Sequence, residues 1–380
     1  MLKNKKFILS TILSTGFALF SMFFGSGNLL FPLRLGKLAL HSPFLAGVGL
    51  MISGVILPML GSYVVLCEKG SYKRFFRPLK RFGMLYFPFF LLLLMGPFGM
   101  IPRCIIVSYG SFQFIDVNKT ISMPVFSIIM CVVIFLINLN PKFIIPFLGT
   151  FLTPALLLAM GFLSYHGVAN ITHEVEPIPL LDFYDMWKSF LMGLFDGYQT
   201  LDLLGSFFFA SFVINHIQNK LKESNINVSQ NNKGLTKFLT ISSFFIAGAL
   251  LTTIYFILIL LGTIHGRHLP AGQEEYFLGI LAQEVLGNKA HSVVCVIVIL
   301  ACLSTALALV TMFSEFFWKY IVVKKISLLN CSIITLVVSF ILSLYGLKGV
   351  SALLTPILQW LYPPVILFTL YKFYLSLKKN

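Results

Sequence analysis

The sequence predicts an all-α integral membrane protein with about ten transmembrane helices. First, 58% of the 380 residues are hydrophobic and only 11% are charged, which leaves too little polar surface for a water-soluble protein. Second, apolar runs long enough to cross a bilayer core of about 30 Å recur along the chain. Third, these runs are solid blocks, whereas a membrane β-barrel would alternate polar and apolar residues.

Apolar blocks between polar breaks predict the individual helices in order. We place them near residues 7 to 33, 43 to 66, 82 to 108, 122 to 138, 146 to 166, 187 to 213, 238 to 263, 291 to 317, 327 to 345 and 350 to 374. The first block follows lysines as a signal peptide does, but no small-residue cleavage site closes it, so we expect a retained helix.

Two of the polar stretches also carry predictions. Residues 215 to 237 are rich in Asn, Lys and Ser, which is typical of a flexible linker between two halves of a chain. Residues 273 to 286 have apolar side chains at helical spacing, which predicts an interfacial helix that caps the bundle.

The basic residues are distributed unevenly among the loops. The formal net charge is +15, from 28 Lys and Arg against 13 acids. If the N-terminus is cytoplasmic, the cytoplasmic segments hold 20 of the 28 basic residues, as the positive-inside rule requires. This pattern predicts that both termini are cytoplasmic, and it argues against nucleic acid as a partner. The expected surroundings are membrane lipid.

The first span contains a polar interruption, Gly25-Ser26-Gly27-Asn28, inside an apolar run. Glycine weakens a helix by about 1 kcal/mol relative to alanine. Freed backbone groups survive at membrane depth only where they line a polar cavity, so we predict unwinding here. The alternative is a face of small residues that permits close helix packing.

The sixth span repeats the interruption, with Asp196, Gly197 and Asp202 in its middle. A carboxylate at the bilayer centre costs about 2.5 to 3.5 kcal/mol or more, so it should serve a function. Spans one and six correspond if ten spans form two sets of five. The chain is therefore predicted to be one transmembrane domain, an inverted repeat of residues 7–166 and 187–374 with its substrate between the broken helices.

The broken helices predict what kind of molecule binds there. A half-helix beginning near Gly25 to Gly27 offers unpaired N–H groups and a positive dipole end, which suit a carboxylate. Carbonyls freed around Gly197, together with the Asp202 carboxylate, suit an ammonium group. A zwitterionic amino acid would satisfy both ends, and no organic cofactor is required.

Four segments resemble the branched-chain amino acid:cation symporters of bacteria. In chain order they are GFALFSMFFGSGNLLFP (residues 16–32), GPFGMIPR (96–103), GYQTLD (197–202) and ACLSTALALVTMFSEFF (301–317). The likeness extends from about residue 7 to 374. That family usually has about twelve spans, so its last two have no counterpart in these 380 residues, while the ten-span core is expected to be complete without them.

The resemblance implies a LeuT-like fold of the APC superfamily in a bacterial-type cytoplasmic (inner) membrane. It also implies uptake of leucine, isoleucine and valine by symport with sodium or sometimes protons. The residues implied to bind substrate are Gly25, Ser26, Gly27, Asn28, Gly197, Tyr198, Thr200 and Asp202. Those implied to form a cation site are Ser21, Phe24, Ala301, Ser304 and Thr305.

The hydroxyls on the eighth span favour sodium as the coupling ion. Residues three and four apart share one face of a helix, so the Ala301 carbonyl and the Ser304 and Thr305 hydroxyls can converge. Neutral oxygen ligands suit an alkali cation, and a hydroxyl carries protons poorly near neutral pH. The alternative is that both hydroxyls bond back to the preceding turn.

Each of the remaining polar residues in or near the spans has two possible roles. Arg103 and Glu315 lie near span ends and could extend to the interface, or could act as a gate or an ion pair with the broken helices. Asp196 could join such a pair or hold freed N–H groups. The His265 and His268 pair and the six cysteines lack metal-type spacing, so no transition-metal site is expected.

Three other functions compete with cation-coupled symport of branched-chain amino acids. An enzyme would need a catalytic cluster near one interface, which the sequence does not show. A channel would need pore-lining polar residues on several helices, whereas polarity here is concentrated in the two breaks and the Ser304-Thr305 pair. A symporter of the same fold for another neutral amino acid, or one coupled to protons, is the strongest alternative.

Overall fold

The computed structural model describes residues 2–39, 42–80, 82–116, 118, 120–140, 144–169, 183–223 and 231–379, and all regular secondary structure in them is helical. The α-helices are α1 Leu2–Phe23, α2 Ser26–Leu38, α3 Pro43–Met51, α4 Leu57–Cys67, α5 Tyr72–Phe75, α6 Phe87–Met95, α7 Ile101–Phe112, α8 Met123–Asn138, α9 Ile144–Phe147, α10 Thr153–Ala169, α11 Phe183–Gln199, α12 Asp202–Glu223, α13 Asn231–His265, α14 Phe277–Phe316, α15 Leu328–Ser343 and α16 Gly346–Lys379.

Helices occupy the positions of all ten predicted spans in the described residues. Seven of these helical stretches are long and apolar enough to cross a membrane, and the bent pair α11 and α12 makes up to eight. The helices at the fourth and ninth predicted positions, α8 and α15, are apolar but have only 16 residues each. The all-α membrane fold is therefore confirmed, and the number of ten spans stays a prediction.

Five short π-helical turns occur in the described residues, and four of them precede a proline. These four cover Ile52–Ile56, Phe82–Tyr86, Gly96–Met100 and Leu148–Leu152, while the fifth, Phe317–Ile321, follows α14. In the four cases a proline follows two residues later: Pro58, Pro88, Pro102 and Pro154. Proline has no N–H to donate to the carbonyl four residues back, and in these four cases that carbonyl lies inside the π turn. The wider hydrogen-bonding pattern of the π turn accommodates the missing hydrogen bond.

The first and sixth spans are broken, as predicted, but each break is shorter and differently placed than expected. Only Phe24 and Gly25 separate α1 from α2, so Ser26, Gly27 and Asn28 are helical. In the sixth span Gly197 is helical too, and the break falls at Thr200 and Leu201. Leu201 has a φ of 64°, and the two half-helices are bent by 43°. One left-handed residue therefore suffices to redirect the chain.

Glycines allow α2 and α11, the half-helices that we expect on the outer side of the two breaks, to pack closely against neighbouring helices. A Cβ on Gly36 of α2 would lie 2.0 Å from the Ile259 carbonyl oxygen of α13. A Cβ on Gly193 of α11 would lie 1.9 Å from the Ala46 carbonyl oxygen of α3. Such backbone contact is the way membrane helices pack tightly without a hydrophobic driving force. These contacts fix α2 against α13 and α11 against α3.

The predicted interfacial helix is confirmed as a helix that starts at Phe277. A short 3₁₀ turn precedes it, and Gly287, with a φ of 68°, separates it from the rest of α14. Phe277 and Leu281 are buried against the bundle. The linker predicted at 215–237 is shorter than expected, because α12 continues to Glu223 and α13 begins at Asn231; residues 224–230 lie outside the described residues.

Candidate functional site

The two helix breaks lie side by side. A Cβ on Gly27 of α2 would lie 3.3 Å from the Cα of Thr200, in the sixth-span break. On the opposite side, a Cβ on Gly25 would lie 2.8 Å from the Thr305 Oγ1 of α14. The first break is therefore enclosed between the second break and α14. The glycines permit this approach because any larger residue would meet its neighbours.

Asn28 and Asp202 join the broken helices directly. The Asn28 Nδ2 donates to Asp202 Oδ2 at 2.6 Å and also to the Tyr255 hydroxyl. Tyr255, on α13, donates its hydroxyl to the same carboxylate oxygen at 3.0 Å. All three residues are buried. In the part of the chain that the structure describes, the Asn28 Oδ1 and the Asp202 Oδ1 have no hydrogen-bond partner, so two acceptor atoms of this small polar cluster are unused.

The position of Asp202 in the fold determines what its carboxylate can bind. It is the first residue of α12, where the positive end of the helix dipole stabilises a negative charge. Among the described residues, no cationic side chain forms a salt bridge with it. A buried carboxylate without a cation tends to take up a proton or a positively charged ligand. Either event would change the hydrogen bonds that Asn28 and Tyr255 donate to Asp202.

The predicted cation residues converge at the end of α1. The Ser304 hydroxyl donates to the Ser21 carbonyl at 3.0 Å and to the Ala301 carbonyl at 2.6 Å, and the Thr305 hydroxyl donates to the Ser21 carbonyl at 3.3 Å. The Ser21 carbonyl is free to accept because the Gly25 N–H bonds to Phe23 instead. Four buried oxygens therefore meet at one place.

The other predicted substrate residues surround the breaks. Thr200 donates its hydroxyl to the Gly197 carbonyl at 2.8 Å, which closes the last turn of α11. Gly197 itself packs against the π-helical turn that follows α3, where its Cβ would lie 1.9 Å from the Ser53 Oγ. The Tyr198 ring stacks on Tyr362 of α16 at 4.7 Å. Two further predicted residues are buried beside the first break: Ser26, 3.6 Å from the Cys104 Sγ, and Phe24, stacked on Phe20.

The predicted gate residues fall into three different surroundings. Asp196 forms an ion pair with Arg34 of α2. Arg103 donates to the backbone carbonyl of Gln199 at 2.8 Å and to its side-chain oxygen at 3.2 Å, at the C-terminal end of α11. Glu315 is exposed and lies near the end of α14, where it lines a cavity of about 360 Å³ with three lysines and with none of the residues at the helix breaks.

Two cavities reach the breaks from the side of Arg34. One, of about 240 Å³, is lined by Tyr198, Gln199 and Asp196; the other, of about 260 Å³, is lined by Gly27 and Arg103. Phe31, Arg34 and Ser351 line both cavities, so the Phe31 ring lies between them. The cavities therefore connect the breaks to the side of Arg34, which the basic-residue pattern predicts to be the outside.

Sequence reasoning missed Tyr255, Arg34 and Gln199 as members of this site. Tyr255 is one of many aromatic residues in apolar spans, and only its contacts distinguish it. Arg34 follows Pro32 and was assigned to the first outer loop, yet α2 continues through that proline to Leu38. Gln199 lies inside the segment GYQTLD, but nothing in the sequence indicates that it accepts from Arg103 and donates to Thr355 at 3.1 Å.

Comparison with known proteins gives consistent matches over the chain. A family described as "Branched-chain amino acid transport protein" matches residues 8–380. Proteins of Staphylococcus aureus strains bovine RF122 / ET3-1 and USA300, both named as branched-chain amino acid carriers, are each 30% identical over 373 residues, covering 92% of this chain and 79% of theirs. The crystal structure of a manganese transporter from Eremococcus coleocola aligns with 98% of this chain and 78% of that one, at a TM-score of 0.56 and 10% identity, which shows a shared fold.

Proposed function

This chain belongs to the branched-chain amino acid transport protein family, and from that membership we propose that it takes up leucine, isoleucine and valine by symport with sodium. It is a multi-pass membrane transport protein of amino acids and not an enzyme. The observation that carries the proposal is the meeting of the two helix breaks at Gly27 and Thr200, beside a cluster of oxygens at Ser21.

The chemistry of the breaks fits an amino acid at both ends. The N-terminus of α2, at Ser26 and Gly27, has N–H groups without carbonyl partners in its own helix, which suit a carboxylate. The unpaired Asp202 Oδ1 and Asn28 Oδ1 are acceptors that suit an ammonium group. We therefore assign substrate binding to the residues between α2 and α12, with Gly197, Tyr198 and Thr200 from the end of α11.

Sodium is proposed as the coupling ion because the oxygens near Ser21 are all neutral. Two carbonyls and two hydroxyls, from Ser21, Ala301, Ser304 and Thr305, are linked by three hydrogen bonds. Rotation of the hydroxyl protons would turn these oxygens toward a cation, and Phe24 would supply a further carbonyl at the break. Hard neutral oxygens suit an alkali ion better than a proton.

Proton coupling is the second candidate, and a specific observation supports it. Asp202 is buried, and no described cation pairs with it. Such a carboxylate could bind a proton on its unpaired Oδ1 and pass the change to Asn28 and Tyr255. The two candidates place the coupling ion at different residues, and they can therefore be separated by substitution.

The wider architecture is proposed on the same grounds. The first helix of the range 7–166 and the first of 187–374 are the two broken ones, as expected for a LeuT-like inverted repeat of five helices each. Arg34 pairs with Asp196 across the outer half-helices of the two repeats, which suits a gate. We propose a single transport domain in a bacterial-type cytoplasmic membrane.

Competition of labelled leucine uptake by all twenty amino acids tests the substrate assignment. Cells that express the protein should take up leucine saturably, and unlabelled isoleucine and valine should compete while charged amino acids should not. Stronger competition by aromatic or small neutral amino acids than by isoleucine and valine would contradict the branched-chain assignment. It would favour another neutral substrate on the same fold.

Orientation in the membrane can be tested at the loop between α4 and α5. We expect a single cysteine at Ser71, in an otherwise cysteine-free protein, to resist an impermeant thiol reagent in intact cells, since the basic segment 69–81 that contains it should be cytoplasmic. A cysteine at the exposed Ala271 is the control and should react from outside. The reverse labelling pattern would overturn the assignment of cytoplasmic termini.

Replacing Asp202 with Asn tests the role of the buried charge. Asn preserves the shape and can still accept from Asn28 and Tyr255, but it removes the negative charge. We expect the affinity for leucine or for the coupling ion to fall at least about tenfold, because charge-assisted bonds are the strong ones. Tyr255→Phe, which keeps the charge, is the control and should cost only a few-fold. Unchanged affinities in Asp202→Asn would make this residue structural.

A further inference from the structure

Arg103 is a buried cation that lacks an anionic partner. It lies on α7 and is only 2% exposed. Its guanidinium forms no salt bridge with any carboxylate of the described residues. A buried charge is costly unless an opposite charge or good hydrogen bonds compensate it. Here the compensation comes from the two Gln199 oxygens and from the negative end of the α11 dipole.

These contacts leave part of the guanidinium unused. A guanidinium has five N–H donors, of which the Gln199 contacts engage two. The Nε of Arg103 is buried and has no hydrogen-bond partner among the described residues. Arg34 offers a direct comparison, because both guanidiniums lie on the Phe31 ring, at 5.3 Å for Arg34 and 5.6 Å for Arg103. Arg34, however, is neutralised by Asp196.

The unpaired guanidinium and the α2 N-terminus line the same cavity. Arg103, Gly27 and Leu30 all border the space of about 260 Å³ on one side of Phe31. Gly27 is the second residue of α2, and the first N–H groups of a helix have no acceptor within it. Two sources of positive potential therefore act on one small volume, whose lining also includes Lys348 and the paired Arg34. Among the described residues, Glu274 is the only acid in this lining.

We propose that Arg103 binds the α-carboxylate of the transported amino acid, together with the N–H groups that begin α2. This inference rests on the proposed function, and it names the group that the site selects. A free carboxylate next to the amino group is required, so amides and esters of the same side chain are poor ligands. Gln199 orients the guanidinium, and Phe31 supports it from one face.

The test compares leucine with leucinamide, which has the same side chain and amino group but no carboxylate. Affinities are measured on the purified full-length protein at mildly acidic pH, where the amine of the amide is protonated. We expect the native protein to prefer leucine at least about tenfold, because a charge-assisted bidentate contact is lost with the amide. Arg103→Gln should weaken leucine binding at least about tenfold and leave leucinamide within about twofold.

Two further variants keep the outcome interpretable. Lys37→Gln removes a cation that lies on α2 but lines neither cavity, and it should retain the preference for leucine. Arg103→Lys keeps the charge without the planar fork, and it serves if the Gln variant does not reach the membrane. It should lose more affinity for leucine than for leucinamide. Equal losses for both ligands in the Arg103 variants would show that Arg103 only holds the end of α11, and would overturn the proposal.

Failure of the proposed function gives a different result. If the native protein binds neither leucine nor its amide, the substrate assignment is wrong, and the role of Arg103 falls with it. If the native protein binds leucine and the amide equally well, leucine is a ligand but its carboxylate is not recognised. That second result would contradict the Arg103 proposal alone.

Discussion

Replacing Gly27 with valine is expected to reduce leucine uptake to background while the protein stays inserted in the membrane. A single Cβ at this position would already lie 3.3 Å from the Thr200 Cα and 3.3 Å from the Phe31 ring. The two methyl groups of valine extend further, toward a backbone atom of the second break and into the cavity that Arg103 borders. Either the breaks separate or the substrate space is filled, and both prevent binding.

A matched glycine provides the control for this variant. Gly161 lies on α10, where a Cβ would have nothing within 4 Å. Gly161→Val should leave uptake and protein level nearly unchanged. Protein level in the membrane is measured for both variants beside uptake of labelled leucine. Near-normal uptake by Gly27→Val would rule out the approach of the two breaks as the substrate site.

Replacing both Ser304 and Thr305 with alanine is expected to raise the sodium concentration needed for half-maximal leucine uptake. Both hydroxyls point to the Ser21 carbonyl, at 3.0 and 3.3 Å, so the change removes two of the four clustered oxygens. Each lost ligand weakens binding by about 1 kcal/mol or more, so the shift should be about tenfold or larger. The maximal rate at saturating sodium should change less.

The control removes two hydroxyls of the same kind elsewhere. Ser339 and Thr369 are buried and bond back to their own helices, at 2.9 and 2.8 Å. Alanine at both positions should leave the sodium dependence unchanged. If uptake in the native protein is indifferent to sodium but collapses with a proton uncoupler, the sodium assignment is wrong. The coupling would then move to Asp202.

The helices and their breaks were largely predictable because both depend on local composition. Solid apolar blocks must be helical in lipid, and glycine with a polar neighbour inside such a block marks backbone that leaves the helix. The sequence therefore located both breaks to within a few residues. Their limits depend on single dihedral angles, such as the positive φ of Leu201, which tertiary packing imposes on a residue with no local preference for it.

The partners of the polar residues were not predictable, because they come from distant parts of the chain. Asp202 receives its hydrogen bonds from Asn28 and Tyr255, which lie 174 and 53 residues away. Asp196 was ranked as a structural or gating residue, but nothing in the sequence indicates its pairing with Arg34 across 162 residues. Ser304 and Thr305 were easier, because their spacing alone puts them on one helix face.

Gly197 illustrates a different limit of the sequence. Its place in an unusual polar segment predicts contact with the substrate, which stays a prediction, and the structure adds a contact that the segment does not indicate, with Ser53 on the second span. A glycine that opens a helix and a glycine that lets two helices approach look alike in a sequence. Only the neighbouring chain, which is 144 residues away, distinguishes the two uses.

Leucine accumulation in proteoliposomes tests the central claim most directly. The purified protein is reconstituted, and an inward sodium gradient is imposed at constant pH with choline as the replacement cation. The account predicts that labelled leucine accumulates above its external concentration, that isoleucine and valine prevent this, and that the accumulation is lost when sodium is equal on both sides. Leucine that only equilibrates, whatever the sodium gradient, would contradict the account of a cation-coupled carrier.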